Sequence, residues 1–81
     1  MKEGTIRAAL SRVLWTSPPE ELREYEVVFI DRGEPSGLST LRLGGEVKVL
    51  RDRIVVGEKI IPLHRVLEIR RGGEVVWRRG A

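Results

Sequence analysis

The residues of this chain best suited to chemistry gather in its last third. Pro62-Leu63-His64-Arg65 carries the single histidine, and Arg65, Arg70, Arg71, Arg78 and Arg79 form a basic run around it. A histidine titrates near neutral pH and can donate to, or accept from, a phosphate or ribose oxygen. A guanidinium offers paired donors that match phosphate oxygens. With Arg32, further up the chain, these groups can converge on one anion. The competing reading is a salt-bridged surface, because Glu68 and Glu74 are interleaved with the arginines and surface pairs of this kind contribute little. His64 equally fits a hydrogen-bonded structural residue at a strand edge.

Asp31 immediately precedes Arg32 and has two readings as well. It holds an arginine in a bidentate pair that leaves other donors for a ligand, or it makes a simple strand-end salt bridge. The aromatic residues are Trp15, Tyr25, Phe29 and Trp77. An exposed aromatic beside arginine is a stacking platform for single-stranded nucleic acid, where each base contributes roughly 1–3 kcal/mol. Tryptophan in so short a chain also serves as core filler. Trp15 and Phe29 are assigned to the core, and Trp77 is open between core and site.

Elements must position these groups. Ile6, Ala9, Leu10, Val13 and Leu14 recur on one helical face after Thr5, a good N-cap, which predicts an amphipathic helix over Thr5 to Trp15 with Arg7 and Arg12 off the apolar stripe. Ser17-Pro18-Pro19-Glu20 reads as a cap, a proline at the first helical position and a capping-box glutamate, for a helical turn to about Arg23. Tyr25 to Ile30 is a nearly continuous apolar run, the pattern of a central strand covered on both faces. Leu38 to Leu43, Glu46 to Leu50 and Arg53 to Val56 are short strands separated by turns, and Gly57-Glu58-Lys59 turns the chain back into Ile60-Ile61. Pro62, without an amide to donate, stops that strand.

Val66 to Arg71 and Glu74 to Arg79 then form a hairpin about Gly72-Gly73, residues that tolerate the positive φ of a two-residue turn. In a regular register Arg71 faces Glu74, Ile69 faces Val76, Glu68 faces Trp77 and Val66 faces Arg79. Leu67, Ile69 and Val76 then point to the core, with Glu68, Arg70, Trp77 and Arg79 on the other face. A one-residue slip would exchange the faces. The sum is one α+β domain over residues 1–81: an N-terminal helix packed on a strongly bent or barrel-like antiparallel meander of about five or six strands.

Composition limits the function. A chain of 81 residues buries only about 60% of its unfolded surface, which leaves no room for a two-domain cleft. Without cysteine there is no disulfide, thiolate metal site or cysteine nucleophile, and one histidine excludes any mechanism or metal site that needs two. No apolar run nears the roughly 18 residues of a membrane span, and Met1 to Leu10 lacks a signal-peptide layout. The expectation is a soluble cytoplasmic protein with no cofactor and no membrane partner. The 15 Lys plus Arg exceed the 12 Asp plus Glu, giving +3, which favours an anionic partner. Absence of asparagine and glutamine with 33% charged residues equally fits a heat-adapted surface.

Four segments, Leu10 to Trp15, Phe29 to Gly33, Ile61 to Val66 and Val75 to Arg79, resemble in order and spacing the RNA cyclic group end recognition domain, known from small archaeal proteins. The similarity spans about Thr5 to Gly80. Its specific part is Ile61-Pro62-Leu63-His64-Arg65 followed by Val75-Val76-Trp77-Arg78-Arg79. The resemblance implies a non-enzymatic domain that binds RNA ends bearing a 2′,3′-cyclic phosphate in RNA processing or repair. By motif position it singles out Arg12, Asp31, Arg32, His64, Arg65 and Arg79, with Trp77 as the aromatic. Leu63 stands where many relatives carry an aromatic, and Arg78 where an acidic residue is common, which makes this copy more basic. The leading expectation is therefore a terminal RNA phosphate gripped by His64, Arg65, Arg32 and Arg79, with Trp77 and Arg12 contributing and Asp31 in support. The alternatives are an adaptor for RNA-processing proteins, pairing through a strand edge, and a phosphodiesterase. The last conflicts with the single histidine, which cannot serve as both general base and general acid.

Overall fold

A computed structural model of the chain describes residues 5–80. Met1 to Gly4 and Ala81, which the single-domain reading included, lie outside the described residues. Helix α1 (Ile6–Thr16) begins where Thr5 accepts a hydrogen bond from the Ala8 amide at 3.1 Å, which satisfies one of the orphan donors of the first turn. Its Ile6, Ala9 and Leu10 are buried. Ser17, expected to cap the next helix, instead closes this one, its amide donating to the Val13 carbonyl at 3.1 Å. The short α2 (Pro19–Leu22) starts one residue later than expected, with Pro18 at the cap and no side-chain cap bond.

Seven strands follow: β1 (Tyr25–Ile30), β2 (Leu38–Arg42), β3 (Val47–Val49), β4 (Arg53–Val56), β5 (Lys59–Pro62), β6 (Val66–Arg71) and β7 (Glu74–Arg78). A 3₁₀ turn, Leu63–Arg65, joins β5 to β6. All pairings are antiparallel. The strands form two sheets, one in the order β2-β1-β6-β7 and the other β3-β4-β5, with no closed barrel. The architecture is the expected α+β one, with β1 inside its sheet; the described residues form seven strands, against about five or six expected. Neighbours in sequence pair except at two places: β2 leads into β3 of the other sheet, and β5 leads into β6, which crosses back to lie against β1 after the three-stranded excursion.

The core fills the space between helix and sheets. Leu10, Val27, Leu43, Ile54, Val66 and Ile69 are the largest fully buried side chains, drawn from α1, both sheets and the connection after β2. Val66 and Ile69 are three apart, a spacing that would place them on opposite faces of a regular strand. A bulge resolves this: Val28 pairs with Glu68 and Phe29 with Val66, so Leu67 is the extra residue.

A second bulge alters the last hairpin. Gly72 and Gly73 make the turn with φ of 58° and 87°, and Arg71 faces Glu74 as expected. Beyond that, Arg70 pairs with Val75 while Ile69 pairs with Trp77. Val76 is the extra residue and is 51% exposed, whereas Trp77 packs against the core. The expected pairs of Ile69 with Val76 and Glu68 with Trp77 are therefore displaced by one, and Val76 leaves the core. Trp15 also departs from its core assignment. It is 89% exposed, because the apolar stripe of α1 runs through positions 6, 9, 10 and 13 and position 15 falls on the far side. Phe29 is half-buried against the core. Among the described residues no helix is long and apolar enough to cross a membrane.

Candidate nucleic-acid interface

The 3₁₀ turn is built to project two side chains. Pro62 fixes the entry at φ −60°, Leu63 is buried as its anchor, and the Val66 amide closes the turn on the Leu63 carbonyl. The Leu63 amide is held by the Asp52 carbonyl at 2.9 Å. His64 is left exposed and Arg65 half-buried. Arg79 clamps the turn from the side: its Nε donates to the Val66 carbonyl at 2.9 Å and its Nη2 to the Leu63 carbonyl at 2.8 Å. Its guanidinium also lies 5.8 Å from the centroid of the Trp77 ring, a cation–π geometry. Arg79 thus uses two nitrogens to shape the turn that presents His64 and Arg65.

Asp31 shapes the facing loop. Its Oδ1 accepts from the Gly33 amide at 3.0 Å and its Oδ2 from the Ser39 hydroxyl at 2.6 Å. The first bond is a side-chain-to-backbone turn typical of aspartate, and the second ties the loop to β2. Neither arginine reading of Asp31 holds: among the described residues its carboxylate makes no contact ion pair, and Arg32 is exposed. The Ser39 and Gly33 hydrogen bonds hold the Asp31 carboxyl below its ordinary value of 3.8, with Lys59 and Arg65 adding a through-space attraction.

Those two cations mark the site. Asp31, Lys59 and Arg65 line a cleft of about 190 Å³ whose other walls are Phe29, Ile30, Ile60, Ile61 and Pro62. Ile30 and Ile60 are exposed, Ile60 at 61%. The cleft therefore sets two cations against one carboxylate, between apolar walls, where the end of β1 meets β5 and the turn. Lys59 has no counterpart in the sequence reading, which treated it as part of a hairpin turn. Its one visible signal is a lysine two residues before the Ile61-Pro62-Leu63-His64-Arg65 motif.

Trp77 and Arg12 lie elsewhere. They line a separate groove of about 190 Å³ between α1 and β7, with Ala9, Val13, Thr16, Tyr25, Ile69 and Val76. The single anion pocket expected from the sequence is thus divided in two: Asp31 and Arg65 meet in the cleft, Arg12 and Trp77 meet in the groove. Arg79 connects the two surfaces through its contacts with Trp77 and the turn. The remaining arginines of the hairpin fit the salt-bridged reading. Arg70 and Arg78 both bind Glu68, at 2.8 and 3.2 Å, and this pairing holds the Glu68 carboxyl below its ordinary value. Arg71 binds Glu24 at 3.0 Å and lies over the Tyr25 ring at 5.2 Å.

Comparison with known proteins adds the decisive observation. The model of the MJ1316 RNA cyclic group end recognition domain matches residues 1–79. The chain belongs to that family. A UPF0248 protein of Methanopyrus kandleri is 42% identical over 64 residues, covering 78% of this chain and 85% of the relative. A second, from Metallosphaera sedula, is 37% identical with 95% of each chain covered. A third, from Methanocaldococcus jannaschii, is 28% identical over 91% of this chain and 92% of its own. No solved structure matches the chain. The family so defined includes all four segments on which the resemblance was drawn, with the turn, the Asp31 loop, α1 and β7 inside the matched range.

Proposed function

We propose that this domain binds RNA ends carrying a 2′,3′-cyclic phosphate, in RNA processing or repair, and that the end sits in the cleft of Asp31, Lys59 and Arg65. The family name supports an RNA end as ligand. The observation that carries the placement is the meeting of two cations with one carboxylate between apolar walls. A cyclic phosphate is a diester with one negative charge, whereas a 3′-monophosphate carries about 1.5 to 2 at pH 7. Attraction to a cleft with one net positive charge grows linearly with ligand charge while the cost of desolvating the ligand grows with its square, so the cleft suits the monoanion better than the dianion. Arg65 and Lys59 contact the phosphate oxygens, Ile30 and Ile60 cover the ribose ring or base, and His64 and Arg32 reach the ligand from the rim. Phosphate contacts supply salt-dependent affinity, and the shape and charge of the end supply selectivity.

The chemistry is binding without turnover, because the single histidine leaves no second partner for proton transfer of the two-histidine kind. The test is a titration of one short RNA prepared with a cyclic phosphate, a 3′-phosphate or a hydroxyl end. The cyclic end is expected to bind tightest, and equal affinity for all three would exclude end recognition.

A further inference from the structure

We infer that the outward face of α1 is a second RNA surface, on which Trp15 stacks a base of the single strand leading to the bound end. Trp15 is 89% exposed, so its indole adds almost nothing to the core. It stands one turn after Ser11 and Arg12 and two turns after Ala8, all of them exposed, so these residues share one face of the helix. Ala8 and Ser11 are too short to cover the indole. Arg7 is exposed beside them, and the Ile6–Thr16 segment carries two arginines and no carboxylate.

The surface continues to the end site. On the other flank of Arg12 lies the groove lined by Thr16, Val76 and Trp77. Arg79 covers the Trp77 ring and reaches the carbonyls of the turn that bears His64. Aromatic and arginine side chains therefore alternate from Trp15 through Arg12 and Trp77 to Arg79. That alternation suits a polyanion with stackable bases, which presents a π-face and a phosphate at every nucleotide. An acidic protein surface would satisfy the arginines as well, but it does not bring a flat π-face beside each of them.

The inference rests on the proposed end recognition only for the identity of the RNA that arrives, and the two fail separately in one experiment. RNAs of one and eight nucleotides with the same cyclic-phosphate end are titrated into the wild type, Trp15→Ala and Trp15→Phe. Trp15→Ala is expected to weaken the octamer by about 5- to 150-fold, the range for stacking one base, and to leave the mononucleotide unchanged. Trp15→Phe is expected to retain most of the octamer affinity. An octamer affinity indifferent to Trp15→Ala would overturn the inference and leave the indole to a protein partner. Equal weakening of both lengths would overturn it too. If wild-type octamers with cyclic and hydroxyl ends bind alike but both weaken in Trp15→Ala, end recognition fails and the stacking face stands.

Discussion

Asp31 carries more of the proposed selectivity than any cation in the cleft, because it sets the net charge that the ligand meets. Asp31→Asn keeps an acceptor for the Gly33 amide and removes the negative charge. The preference for a cyclic phosphate over a 3′-phosphate is expected to fall about fivefold, the scale of one unit charge about 4 Å away in water, as read by competition between the two RNAs. The same substitution has a signature in stability. The folded-state pKa of Asp31 is lowered, so its ionised form stabilises the fold; that contribution is fully present above 3.8 and lost as pH falls through the folded value. Wild type should therefore exceed Asp31→Asn in denaturant resistance at pH 7, and the gap should close below pH 3.8. Read from sequence, Asp31 had only arginine partners, and the Asp-x-Gly spacing was the overlooked sign of the Gly33 bond. Ser39 and Lys59 were not legible, since strand pairing brings them to Asp31 from 8 and 28 positions away.

At the scale of elements, two bulges decide what the hairpin presents. The turn at Gly72-Gly73 and the first pair beyond it follow from local chemistry, because glycine alone adopts positive φ without strain. The extra residue at Val76 follows from no local rule. What favours it is the larger apolar area of the Trp77 indole, which gains more than a valine by lying over Ile69. This gives opposite expectations for two adjacent residues. Trp77→Ala should cost about 2–4 kcal/mol, somewhat under the cost of truncating a fully buried aromatic. Val76→Thr should stay within about 0.5 kcal/mol, as for an exposed site. Denaturant unfolding of the two variants measures both; a costly Val76→Thr with a neutral Trp77→Ala would restore the regular register. Helix α1 shows the reverse case. Its start at Thr5 and its apolar stripe were readable, and the error at Trp15 came from assigning an aromatic by type where its angular position on the helix decides.

Across the whole molecule, arginines take different roles. Arg70, Arg71 and Arg78 lock the outer surface through Glu68 and Glu24, whereas Arg65, with Lys59, faces the proposed end cleft. Composition could not divide them, because net charge is blind to which carboxylate lies beside which guanidinium. The α+β class, the helix and the interior position of β1 were legible because each depends on periodicity within a few residues. The pairing of β1 with β6, across some forty positions, was not, and it is this pairing that sets the Asp31 loop opposite the His64-Arg65 turn. The central claim is that this junction holds the RNA end. Amide chemical-shift mapping of the ¹⁵N-labelled domain with a nucleoside 2′,3′-cyclic monophosphate tests it most directly. Saturable shifts at residues 30–33, 59–61 and 64–65 are the predicted result, and shifts confined to the groove of Arg12 and Trp77, with the cleft silent, would contradict it.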